Sequence, residues 1–117
     1  MAIAVAATRQ VLADAYKNLS GTAQVWVSLH TADPGTTGAS EATGGGYVRV
    51  QGTWTSGSGG ALSMSELTFT APAGEYTHAG LWSASSAGTF FDKCALNPSI
   101  TISSAGTIKV TPSFALS

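Results

Sequence analysis

Gln24-Val25-Trp26-Val27-Ser28-Leu29-His30 is the stretch that decides the fold. Val25, Val27 and Leu29 alternate with Trp26, Ser28 and His30. A period of two places the two sets on opposite faces of a half-buried strand. The same rhythm recurs at short intervals downstream. Residues 47–51 put Val48 and Val50 on one side, and residues 53–55 form a short strand or extend the previous one. Residues 61–65 carry Leu62 and Met64, and Leu67-Thr68-Phe69-Thr70 alternates until Pro72. Residues 76–84 set Ala79 and Leu81 against Tyr76, His78 and Trp82. Residues 89–96, 100–102 and 107–110 follow, separated by Gly- and Ser-rich turns, and Phe114 and Leu116 close the chain in the same phase.

Seven to nine short strands at this spacing predict an all-β fold, a β-sandwich or jelly-roll-like architecture. A doubly wound fold needs helices between its strands, and the pattern after Gly21 offers none. The expected core is Val25, Val27, Leu29, Val48, Leu67, Phe69, Leu81, Ile100, Ile102, Ile108 and Val110. Cys94 falls in phase with Phe90 and Leu96, so the expectation for it is a buried, inert thiol.

Upstream of the first strand, residues 3–19 are the one good helix candidate. They are Ala-rich, which favours helix. Val11, Leu12, Ala15 and Leu19 share a face, while Arg9, Gln10, Asp14, Lys17 and Asn18 lie largely elsewhere. Ser20-Gly21 supplies a stop, since Gly readily takes the left-handed cap conformation. The organisation expected is therefore one N-terminal α-helix (residues 1–20) and a β-sandwich (residues 21–117) forming a single domain. The helix stripe has two uses open to it, packing on its own domain or reaching a neighbour. The apolar start, residues 1–7, lacks a basic leader and runs into the helical pattern, so it reads as helix rather than signal peptide.

Charge narrows the function. Only 9% of the 117 residues are charged, and the net charge is -1. An average soluble domain carries roughly 25% charged residues, and so sparse a surface protects poorly against association. The five basic residues, Arg9, Lys17, Arg49, Lys93 and Lys109, are scattered, so there is no footprint for nucleic acid. No apolar run is long enough to cross a membrane as a helix. One cysteine excludes an internal disulfide framework.

Candidate chemistry is thin. His30 and Asp33 put an imidazole near a carboxylate, but no serine sits in a nucleophile elbow. Glu66, Glu75 and Asp92 read as isolated acids at strand ends. One Cys and two His show no ligand spacing, so neither metal nor cofactor is expected. Gly44-Gly45-Gly46 lacks the Lys and helix of a phosphate loop. The expectation is a protein that is not an enzyme. Residues 31–46 form a long Pro- and Gly-containing loop, and loops of that length are often functional. Asp33, Pro34, Thr36, Thr37 and Glu41 on this loop, with Trp26 and Trp82 on strand faces opposite the core set, are the candidate interface residues.

Two segments carry a family resemblance: Val27-Ser28-Leu29-His30-Thr31-Ala32-Asp33-Pro34-Gly35-Thr36-Thr37-Gly38-Ala39-Ser40-Glu41, running into Gly44-Gly45-Gly46-Tyr47-Val48-Arg49, and Tyr76-Thr77-His78-Ala79-Gly80-Leu81-Trp82-Ser83-Ala84. Together they resemble small virion proteins of tailed bacteriophages, especially phages of actinobacteria, often labelled tail fibre or minor structural proteins. The resemblance spans about residues 23–117. It implies a virion component made in the host cytoplasm, with other virion proteins as partners and no catalytic residues. A fibre shaft needs long repeats or a coiled coil, which the chain lacks. Many-copy capsid decoration is accordingly the favoured expectation, with a tail fibre or tail-tip component that binds a receptor or glycan as the alternative. A homo-oligomer is expected, and a trimer would suit either site.

Overall fold

The computed structural model describes residues 3–116. Its elements run α1 (Ala6–Lys17), β1 (Gln24–His30), β2 (Val50–Thr53), β3 (Thr55–Ser56), β4 (Ala61–Ser63), β5 (Leu67–Ala71), β6 (Gly74–Trp82), β7 (Phe90–Ile102), β8 (Gly106–Val110) and β9 (Ser113–Ala115). The fold is all-β and sandwich-like, with one short helix among the described residues. A four-stranded antiparallel sheet in the order β2-β1-β6-β7 forms one layer. Two smaller sheets, β5-β8 and β3-β4-β9, form the other.

The alternation in β1 explains the core. Val25, Val27 and Leu29 are buried and cluster with Leu67, Phe69 and Ala71 of β5, Ile108 of β8 and Tyr76 of β6. Leu62, Met64 and Trp54 extend the cluster toward the helix, where Ala13 is buried. Burying a Val, Leu or Phe side chain contributes roughly 1.5–3 kcal/mol, so these residues hold the two layers together. Leu81, Ile100, Ile102 and Val110 are half-buried and pack against the cluster.

Two placements correct the sequence reading. Val48 is 67% exposed. Residues 47–49 precede β2, and it is Tyr47 and Arg49 that turn inward, to Glu41. The parity of this short segment is set by a polar pairing, and Val48 is left outside. Cys94 is exposed. It pairs with Ala79 across β6 and β7, so it does face the same side as the core set. However, β7 is an outer strand of its sheet, and the second layer does not cover that part of it. The segments 89–96 and 100–102 are one continuous strand, and β6 pairs with it along its length, with irregular register at Tyr76/His78 and Leu81/Trp82.

Candidate assembly surfaces

The residues 31–46 do not project from the domain. The base of the loop is stitched by a bridge between His30 and Glu41, by Thr31 N–H to Ser40 O (3.0 Å) and by Ala42 N–H to Leu29 O (2.9 Å). Its tip is a tight turn in which Gly38 and Ala39 N–H both donate to Pro34 O, and Asp33 Oδ1 accepts from Gly35 N–H. The loop then folds back over the face of β1 opposite the core. Ser28 and His30, on that face, are consequently as buried as Val25 and Val27.

A polar network fixes the loop there. Arg49 donates from Nε and Nη2 to the two carboxylate oxygens of Glu41, both at 2.9 Å, and from Nη1 to the carbonyls of Ala84 and Ala87. Bidentate pairs of this kind combine charge with geometric specificity. Tyr47 donates its hydroxyl hydrogen to Glu41 and accepts from Leu29 N–H, both at 2.9 Å. Burial disfavours the Glu41 carboxylate, but the hydrogen bonds from Arg49 and Tyr47 outweigh it, and the carboxyl is held below its ordinary value. Burial pushes the Tyr47 hydroxyl up.

Beneath Arg49, a directed chain of hydrogen bonds crosses the sheet. Trp82 Nε1–H donates to Ser28 Oγ (2.9 Å), which lies 2.7 Å from His30 Nε2, and His30 Nδ1 lies 2.7 Å from Ala39 O. A carbonyl can only accept, so Nδ1 carries the proton. Burial pushes the His30 imidazole below its ordinary value, so the ring is neutral at pH 7. With its proton on Nδ1, Nε2 accepts and the Ser28 hydroxyl donates to it.

Each candidate residue can now be placed. Trp82 is buried, under the Arg49 guanidinium and hydrogen-bonded to Ser28. Pro34 is fully buried, and Glu41 is taken up by Arg49. Asp33 is exposed and pairs with Lys93 at 2.6 Å, so His30 and Asp33 do not act together. Thr36 and Thr37 are exposed at the turn, and Trp26 is half-buried in β1. Glu66 lies 4.0 Å from Lys109, Glu75 accepts from Ser99, and Asp92 accepts from Tyr16, so the three acids stand apart. Among the described residues, no three His, Cys, Asp or Glu side chains gather as a metal site, and no helix is long and apolar enough to cross a membrane.

The sequence reading missed Arg49, which stands out there only as one of five scattered cations. Its carbonyl partners lie 35 and 38 residues away, beyond any local pattern. Tyr47 and Ser28 were equally silent.

The helix presents the second surface. Its domain side carries Ala13 and Tyr16 together with most of its polar side chains. Arg9 donates to Gly59 O and Ile3 O, Gln10 reaches Ala61 O and accepts from Gly60 N–H, and Ser56 donates to Asp14 and accepts from Lys17. Tyr16 donates to Asp92 and stacks on Phe114, with ring centroids 4.1 Å apart. The large aliphatic residues face away: Val5 is 59% exposed, Val11 68%, and Leu12 and Leu19 46% each.

A cleft of about 520 Å³ separates the uncovered part of β7 from β9, with Tyr16, Trp54, Leu81, Cys94 and Phe114 among its walls. Tyr16 and Phe114 cover each other's faces and Trp54 is 4% exposed, so little aromatic face is presented to it.

No curated protein matches the chain. A family model does, over residues 6–114, that of the podophage GP4 fiber I protein gp80. The match takes in the helix, the folded-back loop and β1 to β8, and ends within β9 at Phe114. It does not specify phages of actinobacteria. With a match of this extent the chain belongs to the family of the podophage GP4 fiber I protein gp80, and is a structural component of a bacteriophage virion.

Proposed function

We propose that the chain is a many-copy structural subunit of a phage tail fibre, acting through protein–protein contacts and not through catalysis. The family match over residues 6–114 is the observation that carries this reading, and it favours the fibre over capsid decoration. The geometry agrees with it. The Ser28–His30 pair is wholly buried and its proton chain ends on a backbone carbonyl, an arrangement that serves packing. The loop is a rigid plate whose exposed edge, Asp33, Thr36 and Thr37, suits contact with another virion subunit.

Labelling purified virions with an antibody to the protein tests the location. Signal on tail appendages supports the proposal, and signal spread over the capsid shell sinks it. A glycan array on the purified protein separates a structural subunit from a receptor binder: strong, selective binding to one glycan would move the function to host recognition.

A further inference from the structure

We infer that the outward face of α1 is a self-association seam, occupied in the assembled protein by the same helix of a second copy of this chain. The inference deepens the subunit reading above by naming the partner, and rests on it.

The first observation is the inversion of the helix. A surface helix ordinarily turns its apolar stripe to the core and its charges to water. Here Arg9, Asp14 and Lys17 reach to the domain beside Ala13 and Tyr16, and the large aliphatic residues Val5, Val11, Leu12 and Leu19 turn out. The orientation is fixed. Rotating the helix to bury its stripe in cis would break the bonds from Arg9 to Gly59, from Gln10 to Ala61 and from Tyr16 to Asp92. The apolar face is thus left for something outside the domain, as contiguous exposed apolar patches generally are.

The second observation is spacing. Val5, Thr8, Leu12, Ala15 and Leu19 follow one another in steps of three, four, three and four. Val5 is the N-cap, and Leu19 lies on the closing turn, where its N–H donates to Tyr16 O. That spacing is the a/d pattern of two heptads, a narrow seam that fits another helix better than it fits a sheet. α1 is the only helix among the described residues, so the fitting partner comes from another chain.

The third observation is charge. A patch at a symmetry axis meets its own copy, so a charge there would face its like. None of the outward residues Val5, Thr8, Val11, Leu12, Ala15 and Leu19 is charged. The face is compatible with itself. The helix is already ordered by its domain, so association does not bear the entropy of forming it.

The test uses the purified full chain, away from any virion, so it stands or falls separately from the tail location. Sedimentation across a range of concentrations is expected to show a self-associating species. Leu12→Glu puts a carboxylate into the seam, and its dissociation constant is expected to rise at least ~tenfold, with thermal stability at low concentration unchanged. In a Cys94→Ser background, Leu12→Cys is expected to cross-link copies on mild oxidation, while Lys17→Cys, on the domain side, is not. A wild-type chain that stays monomeric at every concentration overturns the inference. So does an oligomer that Leu12→Glu leaves intact.

Discussion

The guanidinium carbon of Arg49 sits 3.7 Å from the centroid of the Trp82 ring, while the same guanidinium holds both carboxylate oxygens of Glu41 at 2.9 Å. One side chain thus ties the long loop, the β6–β7 turn and the outer face of the sheet together. Arg49→Ala should therefore be costly. It strands the Glu41 carboxylate, leaves the Ala84 and Ala87 carbonyls short of a donor and uncovers Trp82. Breaking a buried pair from one side costs about 3–5 kcal/mol. Glu41 keeps some solvent access, which places the expected loss near the lower end, about 3 kcal/mol. Urea denaturation checks it, and a loss below ~1 kcal/mol would show that water replaces the network.

Acid should weaken the same region. His30 is held neutral, its imidazole below the ordinary value because burial disfavours the charged form. The unfolded chain therefore takes up the proton first. The contribution of His30 is complete above the ordinary imidazole value of about 6.5 and falls as pH drops below it. Glu41 is held below the ordinary carboxyl value, so its contribution is present above about 4.5 and is lost as pH falls through its lower folded value. Both changes run in one direction. The melting temperature should be level between about pH 7 and 9 and decline below that range, more steeply under pH 4.5. His30→Gln should flatten the decline between pH 6.5 and 5. An unchanged slope there would assign it elsewhere.

Gly38 separates space from backbone strain. It has φ +79°, and a Cβ placed on it would lie 2.3 Å from the Trp82 ring. Gly44 has φ +84° and open space around it. Gly44→Ala carries only the left-handed backbone cost, roughly 1 kcal/mol. Gly38→Ala adds a clash with a buried indole and should cost about 2–4 kcal/mol in all. Equal losses in the two variants would mean that the loop can lift off Trp82.

How far the sequence carries can be judged residue by residue. Alternation at Val25, Val27 and Leu29 revealed the core face of β1, and the Ala-rich start revealed the helix. Periodicity reports which residues share a face, not what covers it. The burial of Ser28 and His30 depends on a loop that returns over them, and the outward turn of the aliphatic residues of α1 depends on hydrogen bonds to Ser56, Gly59 and Ala61, 42 to 51 residues on. Val48 went astray because an ion pair outranked an apolar contact at the neighbouring Arg49. Long-range polar pairs of this kind leave no local trace.

Cys94 gives a direct probe of the uncovered strand. Its alternation phase points to the core side, yet the thiol is exposed and lines the cleft beside β9. A thiol reagent should label the native protein at a rate within about tenfold of an unfolded control, since access governs the rate. Protection of 100-fold or more would mean that the cleft is closed in solution.

The final prediction sets two tryptophans against each other. Trp54 and Trp82 are both buried, at 4% and 8% exposure. Among the described residues Trp54 Nε1 has no hydrogen-bond partner, whereas Trp82 Nε1 donates to Ser28. A buried donor without a partner carries its desolvation penalty uncompensated. Trp54→Phe removes that penalty along with ring volume, and the two effects oppose, so its net cost should be small, about 1 kcal/mol. Trp82→Phe loses a satisfied hydrogen bond, releases the Ser28–His30 chain at its start and weakens the surface that Arg49 covers. Its cost should be about 2–4 kcal/mol. Thermal denaturation of the two variants side by side measures the difference. Should Trp54→Phe prove the more damaging of the two, its indole N–H must find a partner in solution, and the packing between β3, β4 and the helix would need redrawing around it.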